Sequence, residues 1–222
     1  MLNVLKVWIS FSILFCSFDI YASSTVRINN YNPYYSQIGS GFAFLNKNGN
    51  TLIVTNYHVC VANYRRVVSA NSEPITNIKY IEITYKNKIY KPTKLYISKY
   101  SDICFLKLNN FIPALKIAKT SNSLKRTEEL KVLASYSERE ITTKYIGNDN
   151  KIDNWSKFHR NSKVMLGKPI KGDSGSAVIN KSNEVVGVFW GTSNIDEESY
   201  FIAIDEVRNI IKSNIFIVQE LL

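Results

Sequence analysis

The sequence predicts an all-β protein, and three observations lead to this class. Short runs of apolar and β-branched residues recur along most of the chain, turn-forming segments such as residues 46–50 and 86–88 separate them, and no long helical pattern interrupts them. The chain has 222 residues, of which 45% are hydrophobic and 21% charged. This composition supports a sizeable buried core and excludes a disordered, collagen-like or polytopic membrane protein.

The predicted strands follow one another in two groups. They lie at residues 41–45, 51–56, 80–85, 89–98, 102–108 and 114–118, and then at 130–135, 140–146, 164–166, 177–180, 184–190 and 200–204. Only the end of the chain has helical spacing, with apolar residues on one face from Ile204 to Ile211. The polar segment 109–128 is the best candidate for a crossing between two halves. The pattern therefore predicts one compact unit of two β-subdomains, each a sandwich or a barrel.

The first residues have the features of a secretory signal peptide. Lys6 precedes an apolar run over residues 7–18, and a cleavage site follows at Ala22. The run is shorter than the about 20 residues that a helix needs to span a bilayer, although an uncleaved N-terminal anchor is the alternative. We expect residues 1–22 to be removed and residues 23–222 to be secreted or periplasmic, where disulfides persist.

The net charge of +10 permits binding to anionic polymers but does not identify a partner. Lysines are spread over the whole chain, which favours a solvated basic surface over a dedicated binding face. No nucleic-acid-binding signature is present, so we expect no nucleic-acid partner. The sequence has neither a CxxC motif nor a His/Cys pair at zinc spacing, and we expect no metal site.

The segment of residues 172–178, Gly-Asp-Ser-Gly-Ser-Ala-Val, is the strongest chemical motif. A serine hydroxyl becomes a useful nucleophile only beside a base and a site for the developing oxyanion. Glycines on both sides of Ser174 permit a tight turn that exposes the hydroxyl and directs backbone N–H groups into one hollow. The tetrapeptide alone is also consistent with a surface turn, but the predicted strand 177–180 follows at once and makes the turn rigid.

A nucleophilic serine needs a histidine base and a group that orients it. His58 stands at the end of an apolar strand, whereas His159 lies in a polar stretch typical of an exposed loop. Asp102 opens an apolar strand, a position where an acid needs a partner. Taken singly, His58 is equally consistent with a core histidine, and Asp102 with a turn cap. Less attractive acids lie mostly in polar loops: Asp149, Asp153, Asp196 and Asp205.

Together the segments resemble the trypsin-like (chymotrypsin-fold) serine peptidases, which carry these residues in the order His, Asp, Ser. The resemblance is greatest to bacterial branches, namely the glutamyl endopeptidase and exfoliative-toxin group and the HtrA protease domain. Six segments carry it: residues 39–42, 55–59, 102–108, 172–178, 186–191 and 200–204 with the tail helix. The resemblance implies a double six-stranded antiparallel β-barrel with a short C-terminal helix. Its N-terminal barrel would cover residues 23–115 and its C-terminal barrel residues 116–222.

The resemblance also implies the role of each candidate residue. Ser174 is the expected nucleophile, His58 the general base and then acid, and Asp102 its orienting partner. The N–H groups of Gly172 and Ser174 are the expected oxyanion hole. We expect hydrolysis of protein or peptide substrates through an acyl-enzyme, by a monomer that needs no metal or cofactor and is not stably inserted in a membrane after signal cleavage.

The specificity pocket is less determined by the resemblance. The strand of residues 187–191 is expected to wall the pocket, with Phe189, Trp190 and Gly191 as substrate-binding candidates. Glutamyl endopeptidases carry a histidine at the position of Phe189, so specificity for glutamate is in doubt. Lys168 stands where trypsin has an aspartate and would favour an acidic or polar side chain, unless it is a solvated loop lysine. A pocket partly filled by Phe189 would instead accept only small residues.

Three further alternatives stay open at the level of sequence. Asp173 either caps its turn or pairs with a new N-terminus created by cleavage at Arg27–Ile28. If His58 and Asp102 touch, Cys60 and Cys104 come close enough to form a disulfide; otherwise they are two buried apolar residues. The whole chain is either an active endopeptidase or a catalytically silent protease-fold protein that binds anionic polymers or surfaces.

Overall fold

The structure is a computed structural model that describes residues 24–32, 35–47, 49–61, 78–98, 100–148, 162–167, 169–193, 197–213 and 216–220. Several residues discussed above fall outside these ranges, namely the predicted signal peptide (1–22), His159, Lys168, Asp149, Asp153 and Asp196. No helix in the described ranges is both long enough and apolar enough to cross a membrane.

Fourteen strands and few helices make up the described chain. The strands are β1 (Thr25–Asn32), β2 (Tyr35–Lys47), β3 (Asn50–Thr55), β4 (Ile81–Tyr85), β5 (Lys88–Tyr90), β6 (Lys94–Ser98), β7 (Cys104–Leu108), β8 (Glu129–Ala134), β9 (Arg139–Asn148), β10 (Lys163–Leu166), β11 (Ala177–Ile179), β12 (Val185–Thr192), β13 (Glu198–Ala203) and β14 (Phe216–Glu220). The helices are α1 (Tyr57–Cys60), a 3₁₀ turn (Ile78–Tyr80) and α2 (Ile204–Ser213).

The strands form two antiparallel sheets, and the predicted all-β, trypsin-like fold with a short C-terminal helix is confirmed. The second half is a closed six-stranded barrel in the order β10-β13-β12-β11-β8-β9. The first half is an eight-stranded sheet in the order β14-β6-β7-β3-β2-β1-β4-β5. Three changes add strands to the six that were predicted: β1 was not foreseen, the predicted strand 89–98 is divided around Pro92 into β5 and β6, and β14 returns from the second half to pair with β6. The predicted strand 114–118 is absent, which leaves eight.

A shared apolar cluster holds the two sheets together. From the first sheet it includes Phe42, Val54 and Phe105, and from the barrel Ala177 and Val188, all buried. The α2 helix adds its apolar face to the same cluster, through Ile204, Val207 and Ile210. The prediction of a tail helix with this buried face is confirmed. One apolar cluster built from both sheets and α2 fixes their relative position.

The segment that joins the halves is bonded to both. Leu115 N–H donates to Ala43 O in β2 over 2.9 Å, and Ala118 N–H donates to Val185 O in β12 over 3.0 Å. The strand predicted at 114–118 is wrong, because only one isolated parallel bridge, between Ile117 and Val185, forms there. The sequence of this segment resembles a strand because its alternate apolar residues, Leu115 and Ile117, pack in the shared cluster, yet the segment lacks a full ladder partner.

The α2 helix anchors the same crossing through Asp205. Its Oδ2 accepts hydrogen bonds from Ser121 N–H (2.8 Å), Ser121 Oγ–H (2.6 Å) and Thr120 Oγ1–H (3.0 Å). Partial burial raises the pKa of Asp205, but the hydrogen bonds from Ser121 and Thr120 and the charge of Arg208 outweigh burial, so its pKa lies below the ordinary value. The ionised carboxylate of Asp205 therefore stabilises the folded state.

Candidate functional site

His58 and Asp102 form the most tightly bonded polar pair of the site. Asp102 Oδ2 lies 2.7 Å from His58 Nδ1, and Asp102 Oδ1 accepts the backbone N–H of His58 over 2.9 Å. The side chain of Asp102 is fully buried, whereas that of His58 is 16% exposed. With Asp102 ionised, Nδ1 carries the hydrogen, and Nε2 is the ring nitrogen left to act as a base.

The local structure around the pair holds His58 next to Asp102. β3 ends at Thr55 and α1 begins at Tyr57, so His58 lies in the first turn after a buried strand. Asn56 Nδ2 donates to the carbonyl of Asp102 over 3.0 Å. The disulfide Cys60–Cys104, with a Cα–Cα distance of 6.6 Å, joins α1 to the start of β7. Of the two alternatives for these cysteines, the structure contains the disulfide.

Ser174 stands on a tight turn between β10 and β11. Gly172 and Gly175 have φ values of +101° and +92°, a region that residues with a side chain rarely adopt. Asp173 braces the turn, since its Oδ2 accepts Ile170 N–H over 2.8 Å and its carbonyl accepts Ser176 N–H over 3.0 Å. These contacts support the turn-capping interpretation of Asp173.

The alternative role of Asp173 needs a free N-terminus at Ile28. In the structure Ile28 is a fully buried residue in the middle of β1, paired with Gly39 of β2 and Ile83 of β4. Freeing its amino group would require that this central strand be cut and withdrawn from both neighbours. The folded arrangement therefore favours a chain that needs no cleavage at Arg27–Ile28.

Two backbone donors flank Asp173 without an acceptor. Neither Gly172 N–H nor Ser174 N–H has a hydrogen-bond acceptor within the described part of the chain. Ser174 Oγ–H is directed to the carbonyl of Trp190, at a long distance of 3.4 Å. Unpaired N–H groups beside a serine hydroxyl are suited to binding the oxygen of a substrate carbonyl as it gains negative charge.

The Ser174 turn docks on the first sheet, close to the segment that carries His58. Ser40 N–H donates to Ser174 O over 2.7 Å, and Thr55 Oγ1–H donates to Ser40 O over 2.7 Å. A Cβ added to Gly39 would lie 2.6 Å from Val59 Cγ2 and 3.1 Å from Ser174 O. Val59 follows His58 directly, so the serine and the His58–Asp102 pair meet at one seam between the sheets.

The strand expected to wall the pocket, β12, divides its side chains between the barrel core and the surface. Phe189 is only 2% exposed and belongs to the core cluster of the barrel with Met165 and Phe201. Trp190 stacks on Tyr200 with ring centroids 5.4 Å apart and donates from Nε1 to Ser162 Oγ over 3.0 Å. A Cβ added to Gly191 would meet no atom within 4 Å, so the chain is open there.

The residues expected to line the pocket therefore lie in different environments. Phe189 packs in the core, which offers no support for the interpretation that its ring occupies an open pocket. Its backbone supports the serine turn instead, since Phe189 O accepts Gly175 N–H over 2.8 Å and Phe189 N–H donates to Ser176 O over 2.9 Å. Trp190 and Gly191 are the half-buried part of this strand, and Lys168 lies outside the described residues.

One buried cation lies in the same barrel. Burial lowers the pKa of Lys163, whose Nζ lies 5.4 Å from the centroid of the Tyr145 ring and 3.3 Å from Asn148 Oδ1. Burial also raises the pKa of Tyr145. Among the described residues no three His, Cys, Asp or Glu side chains are close enough together to hold a metal ion.

Sequence reasoning missed the polar residues that join the halves. Ser40 lies in the segment 39–42 that carried the resemblance, but its hydrogen bonds to the serine turn have no signature in sequence. Thr55 closes the apolar strand β3 and gave only a weak signal. Tyr136 gave no signal at all, although its N–H donates to Ser40 Oγ over 3.0 Å beside the serine turn.

Comparison with known proteins agrees with this geometry. A family model described as a trypsin-like peptidase domain matches residues 39–188. No curated protein matches the sequence. Among solved structures, the Rv3671c protease from M. tuberculosis in its active form has a TM-score of 0.69 at 17% identity, covering 92% of this chain and 86% of that one.

Two further solved structures have the same fold. The HtrA-type protease AlgW, crystallised with a tripeptide, has a TM-score of 0.68 at 12% identity, over 87% of this chain and 60% of that one. A serine endoprotease from Yersinia pestis has a TM-score of 0.64 at 17% identity, over 89% of this chain and 66% of that one. At such identities the likeness concerns the fold alone.

Proposed function

Because the chain belongs to the trypsin-like peptidase family, we propose that it is an exported serine endopeptidase with the triad His58, Asp102 and Ser174. One observation carries the proposal above all. A fully buried carboxylate orients a partly exposed histidine at the seam where the Ser174 turn docks, with Ser174 O bonded to Ser40 N–H. A buried acid paired in this way is typical of a base that must become positively charged during a reaction.

The first half of the reaction forms an acyl-enzyme. His58 Nε2 takes the proton of the Ser174 hydroxyl as Oγ attacks the carbonyl carbon of the peptide bond. The carbonyl oxygen gains the negative charge, for which the unpaired N–H groups of Gly172 and Ser174 are the proposed donors. The C–N bond then breaks, and the departing amine takes the proton from His58.

The second half releases the acid product. Water gives a proton to His58 Nε2 and attacks the ester carbon, and the tetrahedral intermediate collapses as Ser174 Oγ takes the proton back. Asp102 stays ionised throughout and stabilises the imidazolium through Nδ1–H. The chain's own side chains and backbone supply each proton transfer and each charge contact of this cycle.

The proposal includes export and a simple organisation of the chain. Residues 1–22 are the proposed signal peptide and residues 23–222 the protease unit, with subdomains over 23–115 and 116–222, the second of which returns β14 to the first sheet. The Cys60–Cys104 disulfide supports a secreted or periplasmic location, because disulfides persist in oxidising compartments. The mature chain would act as a monomer on peptide or protein substrates.

Labelling with a fluorophosphonate probe tests the proposal directly. The full chain is expressed in a bacterial host, purified from the compartment that it reaches, and its N-terminus is sequenced. The probe reacts with a serine only where a base and oxyanion donors activate it. We expect labelling that Ser174→Ala and His58→Ala abolish, a loss on the order of 10⁴-fold or more. The matched controls Ser182→Ala and His159→Ala should label like the parent chain.

The opposite result has a defined meaning. A folded parent chain that is not labelled would contradict the endopeptidase proposal. Binding of heparin that disappears near about 0.5 M salt, without any turnover, would then favour the silent protein that holds anionic polymers through its basic surface.

A further inference from the structure

We propose that Arg27, Tyr136 and Arg139 form a subsite that binds an acidic side chain on the C-terminal side of the bond to be cleaved. The inference rests on the proposed function, since it assigns a substrate preference to the proposed active site around Ser174. It concerns the part of the substrate that leaves as the amine product, which the residues of β12 do not contact.

Tyr136 is attached to the turn that carries the proposed oxyanion donors. A Cβ added to Gly172 would lie 2.2 Å from Tyr136 Cδ1, so the ring packs against the bare backbone of this glycine. Ser40 ties the two together, because its Oγ accepts Tyr136 N–H over 3.0 Å and donates to Gly172 O over 3.2 Å. The aromatic ring is therefore a fixed wall next to the reacting carbonyl.

The direction of a bound peptide follows from the two neighbours of Ser174. On one side lies Trp190, whose carbonyl faces the Ser174 hydroxyl, in the end of β12 that extends past β11, where an extended substrate would add as a strand. On the other side lie Ser40 and Tyr136. A peptide that crosses Ser174 from the β12 edge thus leaves past Gly172 and over the Tyr136 ring, so the first residues after the scissile bond meet this wall.

Two guanidinium groups adjoin the wall. Arg27 Cζ lies 5.0 Å from the centroid of the Tyr136 ring, and Arg27 Nε–H donates to the neutral amide oxygen of Asn29 over 3.3 Å. Arg139 Nη2 lies 3.9 Å from Asp173 Oδ2, and the Arg139 side chain is 48% exposed. Arg27 therefore contacts Tyr136, which packs against the serine turn, and Arg139 contacts Asp173, which belongs to that turn.

The two guanidinium groups are only partly paired with carboxylates of the described chain. In the described part of the chain no carboxylate pairs with Arg27, and the contact of Arg139 with buried Asp173 is at the outer limit of an ion pair. Nearby acids are largely occupied, since Glu82 pairs with Lys91 over 2.9 Å and Glu140 with Lys131 over 2.8 Å. In number, buried Asp173 and exposed Glu138 offset the two guanidinium charges, but neither forms an ion pair with Arg27 in the described part of the chain.

A carboxylate is the group that this arrangement recognises best. A guanidinium held over an aromatic ring, with its Nε–H already bonded to Asn29, has few orientations left for its Nη N–H groups, and these suit hydrogen bonds to a carboxylate. Because the acidic residue departs with the amine, the contact favours formation of the acyl-enzyme. Two peptides that differ only after the scissile bond yield the same acyl-enzyme and must share its hydrolysis rate.

The test begins with a library of peptides from a digested bacterial proteome. Cleavage sites identified by mass spectrometry are expected to be enriched in Asp or Glu at the first or second position after the cleaved bond. A peptide pair is then made in which that position is Asp or Asn. For the parent enzyme at about 0.05 M salt, we expect kcat/KM to be on the order of three- to tenfold higher for Asp, and the ratio to shrink at about 0.5 M salt.

Variants assign the preference to the two arginines. Arg27→Gln and Arg139→Gln should each lower the Asp/Asn ratio about two- to threefold, and the double variant should bring it close to one. Arg27→Lys should keep part of the ratio because it keeps the charge but not the planar fork. Lys212→Gln, which removes an exposed charge from α2, is the control and should leave the ratio unchanged.

The failures of the two proposals are distinguishable. An enzyme that is labelled at Ser174 but cleaves the Asp and Asn peptides equally would overturn the subsite and leave the endopeptidase intact. A preference that persists in the Arg27→Gln, Arg139→Gln double variant would overturn the assignment to these arginines. A folded chain that is never labelled would overturn the proposed function and the subsite with it.

Discussion

Gly175→Ala is the single substitution that the structure predicts to be most disruptive at the seam. Gly175 follows Ser174 with a φ of +92°, and an added Cβ would lie 2.0 Å from Ser40 O and 2.3 Å from Thr55 Oγ1. The obstacle is backbone, and two hydrogen bonds of 2.7 Å hold it, one from Thr55 Oγ1–H and one between Ser40 N–H and Ser174 O. The methyl group is accommodated only if the serine turn moves away from the first sheet.

The magnitude follows from two contributions. The left-handed backbone costs a residue with a side chain about 1–2 kcal/mol. Ordinary contact begins at 3.4 Å, so the Cβ overlaps Ser40 O by 3.4 − 2.0 = 1.4 Å. Overpacking of this kind typically costs about 1–3 kcal/mol. The free energy of unfolding should fall by roughly 3 kcal/mol, and Tm by about 10 °C for a domain of this size.

The assay compares four glycine variants by urea unfolding and by fluorophosphonate labelling. Gly49→Ala isolates the backbone contribution, since its φ is +76° and nothing lies within 4 Å of the added Cβ. Gly187→Ala isolates the contact contribution, with Phe201 Cδ2 at 2.2 Å and an ordinary φ. Gly191→Ala has neither a left-handed backbone nor a close contact at the added Cβ, so it should unfold like the parent chain. Labelling of Gly175→Ala should slow on the order of 10²-fold, because the nucleophile is displaced by about 1 Å.

One outcome would contradict a role of the seam in positioning the nucleophile. If Gly175→Ala is no less stable than Gly49→Ala and is labelled at the parent rate, the serine turn does not rest on Ser40 and Thr55. The seam between the two sheets would then not be what positions Ser174.

Three further predictions use the same unfolding and labelling assays. Replacing Cys60 and Cys104 by serine, or reducing the disulfide that spans 44 residues, should lower the free energy of unfolding by about 3–4 kcal/mol; equal stability with and without reductant would contradict this. Asp205 has a pKa below its ordinary value, so its stabilisation is present above about pH 4 and is lost as the pH falls through the lower pKa of the folded state. Asp205→Asn should therefore be about 1–2 kcal/mol less stable than the parent chain at pH 6, and this difference should shrink as the pH falls below about 4; a difference independent of pH would oppose it. Thr55→Val removes the hydrogen bond to Ser40 O and should cost about 1 kcal/mol and slow labelling, whereas unchanged labelling would argue against a role for this bond.

Much of the fold was predictable because its periodic signal is local. Strands such as β3, β7 and β12 are short apolar runs bounded by turns, and α2 shows its apolar face in sequence. The first strand, β1, was missed because asparagines interrupt its alternation. One of them, Asn30, is buried and donates from Nδ2 to the carbonyls of Val59 and Cys60 over 3.3 and 2.9 Å, a role that only the folded chain reveals.

The site was predictable to the extent that its chemistry requires particular residue types. A histidine at a strand end, an acid at the mouth of an apolar strand and a serine between glycines each stand out, and the structure bonds His58 to Asp102 as that reasoning requires. The roles of Arg27 and Tyr136 depend on a contact between residues far apart in the chain. Such a contact has no periodicity and needs the relative position of two sheets before it can be foreseen.

That relative position is itself the feature on which the proposed catalysis depends. The donors of the serine turn belong to the barrel, the His58–Asp102 pair belongs to the first sheet, and the bonds of Ser40 join them. Behind these bonds the shared apolar cluster combines residues of both sheets with one face of α2. Val207 of α2 is fully buried in this cluster, so we expect it to support the relative position of the two sheets without touching the substrate. The proposed active site is therefore a property of the seam, to which α2 and the crossing segment contribute as well as the residues that would touch the substrate.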